Sequence, residues 1–220
     1  MAVAFDAAVA RNLNSVSSDS WSHTCTGADR YVVVAVGVTK IAGTTATVTY
    51  DGVSMTSLGE ATNTTFQSAA HGMAKLFGLV NPPTGAKTVV LTFSAGSNAG
   101  GASSVSYTGV HQSVSAGTPG TDTPNSSTSS AVTITDGVAS DMILSAIAVD
   151  TGASALTCGD TQRMNELASG YMGGSSDAPG AASVVMDWSW TTSSNAAHVA
   201  VALKQATSGG GSTLMGQACV

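Results

Sequence analysis

The sequence predicts an all-β fold: an antiparallel β-sandwich, jelly-roll-like, in a single domain. Three observations carry that expectation. Apolar residues alternate with polar ones at a period of two through many short runs. Those runs are separated by turns rich in Gly, Pro, Asn and Asp. No segment holds a 3.6-residue apolar stripe for more than about two turns. The sandwich is expected over residues 1–206, with 1–14 as an N-terminal strand or arm and 207–220 as a Gly-rich linker and tail.

The elements follow in order. At the N-terminus Val3, Phe5 and Ala7 alternate over Val3–Val9, a strand able to join a sheet edge, its own or a neighbour's. In "WSHTC" an extended backbone puts His23 and Cys25 on one side. That would be two metal ligands, but further ones would have to come from the distant His71, His111 or His198, so a partly buried histidine and a free thiol are expected. Tyr31–Val38 is apolar on both faces and reads as a central strand with a neighbour over its outer face. Ala46–Tyr50 and Val53–Leu58 flank Asp51-Gly52, the two-residue turn whose twist suits a hairpin. Lys75–Val80 and Thr88–Phe93 flank Asn81-Pro82-Pro83-Thr84-Gly85, where two residues without an N–H force the chain out of the ladder. This is a corner between strands.

Ser104–Val110 follows, and residues 112–130, small and polar with two prolines, read as a long surface loop. Ala131–Thr135 and Met142–Val149 are strands, while "TQRMNELASGYM" at 161–172 is the one helical candidate. In Ser183–Trp190 the row Val184, Met186, Trp188 and Trp190 is expected to face inward as a major part of the core. His198–Lys204 closes the sandwich. Beyond it, "TSGGGSTLMGQACV" joins a glycine spacer to an apolar tip with Leu214, Met215 and Val220.

Composition excludes several functions. Only 9% of residues are charged, against about 25% in typical globular chains, so Ser, Thr, Gly and Ala cover the outer faces. The net charge of −6 and the scattered Lys and Arg leave no basic patch for nucleic acid. The longest apolar run, "YVVVAVGV", is far too short to span a membrane as a helix. The N-terminus lacks a basic region and carries Asp6 in its apolar stretch, so no cleaved leader is expected, and the chain reads as made in a cytoplasm. Cys25, Cys158 and Cys219 are odd in number and widely spaced, neither a disulfide framework nor a metal knuckle.

Catalytic and cofactor motifs are missing as well. There is no nucleophile elbow, phosphate loop, zinc helix or calcium loop. Glu60 and Glu166 are the only glutamates, and a lone carboxylate pair is weak ground for glycoside hydrolysis. Asp51, Asp136, Asp150 and Asp160 lie in turn-like contexts, where conformation alone favours Asp over any calcium role. The sequence therefore predicts no enzyme, no cofactor and no metal.

In order, "ATVTYDGVSMTSLGEATN", "AKLFGLVNPPTGAKTVVLTFS" and "ASSVSYTGVHQSVS", with the flanking strands over 20–204, resemble a widespread β-sandwich domain. It occurs in structural proteins of tailed phages and in bacterial extracellular proteins. The resemblance implies a non-enzymatic virion component, most specifically a capsid decoration (cement) or head-surface protein, assembled in the host cytoplasm. The partners implied are further copies of the chain, as a trimer, and a major capsid protein or another virion structural protein. Assembly contacts are expected at Val3, Phe5, Leu214, Met215 and Val220. Two alternatives stand beside it. One is a carbohydrate-binding or adhesion module of a tail fibre or cell surface, offering Trp21, Tyr107 and Tyr171 as aromatics. The other is a fibre or matrix protein linked by strand exchange.

Overall fold

The computed structural model describes residues 1–67, 70–96, 98–150 and 155–206. The first half carries β1 (Ala4–Val16), β2 (Ser18–Cys25), β3 (Tyr31–Lys40), β4 (Ala46–Tyr50), β5 (Val53–Ser54), β6 (Thr56–Asn63), β7 (His71–Val80), β8 (Gly85–Phe93) and β9 (Asn98–Thr108). The second carries β10 (Gly120–Asp122), β11 (Ser127–Ile134), β12 (Met142–Val149), β13 (Thr161–Ala168), β14 (Tyr171–Pro179), β15 (Val184–Ser194) and β16 (Ala196–Leu203). The fold is all-β, and its sheets are antiparallel and packed face to face.

Four sheets stack in layers. An outer sheet, β2-β8-β4-β5, covers an inner sheet, β1-β9-β3-β7-β6; a second inner sheet, β10-β16-β12-β14-β13, is covered by an outer pair, β11-β15. The two inner sheets have one topology written twice, with β1, β9, β3, β7 and β6 answered in order by β10, β16, β12, β14 and β13. The β4–β5 hairpin has no full counterpart. Beside β15 the described chain makes only the bridge Thr157–Ser189. The expected sandwich is thus present as two sheet pairs, back to back.

The alternation of each strand fixes this stacking. Along β3, Val32, Val34, Val36 and Val38 pack toward the first outer sheet, among Trp21, Tyr50 and Leu91. Tyr31, Val33 and Ala35 pack the other way, against Leu144, Ala146, Val199 and Val201 of the second inner sheet. The neighbour expected over the apolar strand is therefore the chain's own second half. Beneath it, Trp188 and Trp190 of β15 close on Ile147, Val149 and Met172. Met186 joins Ile143 and Val132. The inward assignment of Met186, Trp188 and Trp190 holds, all three being buried.

The inner sheets meet unusually closely. Facing sheets ordinarily lie about 10 Å apart. Here a Cβ added at Gly37 would sit 2.0 Å from the Ile147 carbonyl oxygen, and one at Gly173 2.4 Å from that of Gly37. Backbone touches backbone, and only glycine fits. Ser103 and Ser175 share a hydrogen bond of 2.8 Å across the same seam.

The turns follow their chemistry. Asp51 (φ 51°) and Gly52 (φ 78°) are both left-handed, as the tight hairpin requires. The proline corner carries the chain from β7 in an inner sheet to β8 in an outer one, and Arg30 clamps it with bonds of 2.9 Å to the Pro82 carbonyl and to Asn81 Oδ1.

Three expectations are corrected. Residues 161–172 are not helical: they hold β13, a turn at Ser169 (φ 50°) and Gly170 (φ 87°), and the start of β14. Strand pairing to β14 overrides the helical preference of Arg, Met, Glu and Leu there. Residues 112–130 are not one loop, because β10 lies inside them and β11 begins at Ser127. Its Ser and Thr look like loop composition, but Thr128, Ser129 and Thr133 are exposed positions of a strand and Ser130 is buried. The N-terminal strand runs to Val16 rather than Val9 and is the edge strand of the chain's own inner sheet, paired with β9.

Candidate interaction surface

One side of the stack is built from strand edges. β1 ends the first inner sheet, β13 ends the second, and β2 ends the outer sheet above β1. Side chains lock these three edges over one another. Arg11 of β1 reaches Asp19 of β2 at 2.9 Å. Asp6 accepts bonds from the Thr26 N–H at 2.8 Å and from the Ser106 hydroxyl at 2.7 Å. Burial opposes ionisation of Asp6, but the bonds from Thr26 and Ser106 outweigh it and hold the carboxyl below its ordinary range. Toward β13, Asn12 donates to the Leu167 carbonyl at 2.8 Å, and Ser169 to Asn14 Oδ1 at 2.5 Å.

The seam between the inner sheets opens onto this side through a polar triad. Asp177, buried on β14, accepts from the Tyr107 hydroxyl at 2.7 Å and from Arg163 at 2.7 and 3.0 Å. The Arg163 guanidinium lies 3.7 Å from the centre of the Phe5 ring. Phe5 also meets Tyr107 edge to face. Arg163 is thus satisfied on one face by a carboxylate and on the other by an aromatic ring. Burial, followed by the neighbouring Asp177 charge, drives the Tyr107 hydroxyl far above its ordinary value, so it acts as a fixed donor.

Of the residues expected at assembly contacts, Val3 is buried in the chain's own core, its N–H bonded to the Ser140 carbonyl at 2.8 Å. Phe5 remains 42% exposed beside Arg163. Leu214, Met215 and Val220 lie outside the described residues. Sequence reasoning missed Arg163 and Asp177, since the one was placed on a helix and the other in no element. The one signal was Asp177, a lone charge in an otherwise uncharged stretch from Leu167 to Met186.

Two buried histidines and a buried thiol are tied into the fold through one atom each. His23 and Cys25 do share a side, as expected, and both are buried. Ser104 Oγ receives the Trp21 indole N–H at 2.8 Å and lies 2.9 Å from His23 Nδ1, while the Tyr50 hydroxyl lies 3.2 Å from Cys25 Sγ. Burial lowers His23 to about 4 and raises the Cys25 thiol. In the other half His198 Nδ1 is 3.1 Å from Ser130 Oγ, which donates to Asp122 at 2.7 Å. Ser, His and Asp meet there, but the serine sits between the other two and is buried, so no base orients an accessible nucleophile. Burial lowers His198 to about 4, against the pull of Asp122. Asp160 is raised to about 6 by burial, with Asp187 and Asp177 adding to it. Among the described residues no three His, Cys, Asp or Glu side chains converge as metal ligands. Trp21 and Tyr107 are buried, which removes two of the three aromatics offered for a sugar platform.

The described stack therefore presents open strand edges on this side. No protein-family model matches the sequence, and no curated protein or solved structure matches it either.

Proposed function

We propose that this chain is a non-enzymatic structural protein of a tailed-phage virion, a decoration or head-surface protein that lies flat against other virion subunits. The observation that supports this most is the outer face of β2, β8 and β4. There Ser18, Thr92 and Thr47 form one exposed row, and Ser22 and Thr88 another. The opposite outer face has exposed Ser129 paired to Ser189 and exposed Thr133, beside exposed Asp187 and Val185. A flat sheet carrying short hydroxyls and almost no charge loses little side-chain entropy when covered. It also leaves few charges to desolvate, the cost that keeps ordinary surfaces apart.

The apolar strand β3 lends this reading no support, because the chain covers it itself. The sugar-binding alternative has no aromatic platform behind it, since only Tyr171 of its three candidates keeps partial exposure. The test is mass spectrometry and imaging of purified particles from the source of this gene. The expected result is stoichiometric protein on the head surface. Its absence from particles, or detection at trace level only, overturns the reading.

A further inference from the structure

The edge formed by β1 has the features of a self-pairing strand. Its 13 residues pair on one side with β9, and none of the described strands lies on the other side. Long open edges are ordinarily blunted by Lys, Pro, short length or bulges. β1 contains neither Lys nor Pro, and its two register irregularities, between Phe5 and Ala7 and between Leu13 and Val16, bracket a regular stretch from Ala7 to Leu13. Three other edges of the stack are blunted. β5 has two residues and β10 three; β6 carries a bulge between Ser57 and Gly59, and its Glu60 is held by Lys40 and Lys75.

The central sequence is also complementary to itself. We propose that β1 pairs antiparallel with β1 of a second copy about a two-fold axis at Val9, so that the inner sheet runs on through both molecules. In that register Val9 faces Val9, Ala8 faces Ala10 and Ala7 faces Arg11 of the other copy. Next to the axis the opposed pairs are small or β-branched, Val9 with Val9 on one face and Ala8 with Ala10 on the other. Arg11 and Asp6 are the only charged residues of the strand. Both point toward the outer sheet, where they touch Asp19 of β2 and Thr26 just beyond its end. The pairing therefore sets each Arg11 beside the Asp6 that precedes the opposed Ala7, twice by symmetry. A parallel pairing in register would set Arg11 against Arg11 instead.

Such a contact is isologous: one patch serves both partners, and the assembly closes at two. β2 and β13 end on the same side, so three sheet edges approach their counterparts together. This route gives a dimer rather than the expected trimer. It stands whether or not the protein belongs to a virion.

The test is sedimentation and native mass spectrometry of the full chain with two variants at exposed positions of β1. In A8K/A10K the introduced ammonium groups oppose one another across the two-fold axis. Dimerisation should weaken at least about tenfold, since directly opposed like charges destabilise a strand pair. In A8K/A10E the same positions attract, and the dimer should return. Far-ultraviolet circular dichroism checks that both variants fold. Should A8K/A10K not fold, Val9→Cys decides. Opposed antiparallel residues lie within disulfide reach, so oxidation of that variant should link two copies through the substituted position. A monomeric or trimeric full chain, a dimer indifferent to A8K/A10K, or a variant that loses binding to another protein instead would each overturn the proposal.

Discussion

At the scale of single residues, the buried polar groups set the first expectations. Trp188 is fully buried and gives its indole N–H to Ser145 at 3.0 Å. Trp188→Ala should cost roughly 3–5 kcal/mol in chemical denaturation, the range for a large buried aromatic. Ser145→Ala, which strands that N–H and also removes the buried 2.8 Å bond between Ser145 and Ser176, should cost about 1–3 kcal/mol. The histidines make stability pH-dependent. His23 and His198 titrate near 4 in the fold because burial disfavours their charge, against 6.5 ordinarily. The unfolded chain therefore binds more protons between those values, so their contribution is complete above 6.5 and is lost as pH falls toward 4. Each accounts for roughly 3 kcal/mol at most. Asp160, raised to about 6 by burial first, opposes this, since the fold takes up its proton early on acidification. Denaturation midpoints from about pH 7 to about pH 4 should still fall, and His198→Gln should flatten the slope. A midpoint that rises on acidification would contradict the sign. Cys25 is buried with a raised thiol pKa, so it should resist alkylation until the protein is unfolded.

At the scale of elements, the strands most legible in the sequence are those with one wet face. In β8, Val89, Leu91 and Phe93 are buried while Thr88 and Thr92 are exposed, as their alternation predicts. β15 shows the same logic. The stretches that escaped notice lack any contrast between faces. The start of β9, "NAGGAS", ahead of the expected Ser104–Val110, and β14, with "MGGSSD", are buried on both sides, yet their residues are those of turns. They are small because two backbones must pass in contact, a requirement set by a neighbour more than sixty residues away along the chain. The candidate surface was legible to the same degree: Val3 and Phe5 marked a strand, but which sheet edge it joined depends on β9. This changes what a truncation should do. Removing residues 1–14 takes away most of β1 and uncovers β9, whose Ser103, Ser104 and Ser106 are buried. Cooperative folding should be lost, as circular dichroism would show. Deleting 207–220 leaves every described strand intact, so folding should survive; on the proposed virion role, binding to neighbouring subunits should weaken if the tail docks there.

For the whole molecule, the question is whether the two sheet pairs behave as one body. Each has its own apolar layer, but the third layer between them is shared, and the Gly37–Gly173 contact admits no side chain. Gly173→Val should therefore destabilise both halves together, by more than the roughly 1–3 kcal/mol of ordinary overpacking. Calorimetry should show one transition in the parent protein. Two separate transitions, with only one of them moved by the substitution, would mean that the seam is a docking surface and the halves fold independently.

The pairing of β1 with β9 also dictates a timetable. Ala4 meets Thr108 and Leu13 meets Gly100, so β1, once synthesised, must wait for about a hundred further residues before its partner exists. Synthesis at roughly 5–20 residues per second makes that a delay of seconds. Throughout it an apolar, nearly uncharged strand has nothing to pair with except the same strand on a neighbouring nascent chain. Closure over so long a loop is slow in any case. Yield in a recombinant host should therefore depend on translation rate and temperature more steeply than the stability of the finished protein would suggest, and pulse-chase solubility of chains stopped before and after residue 108 would show the step.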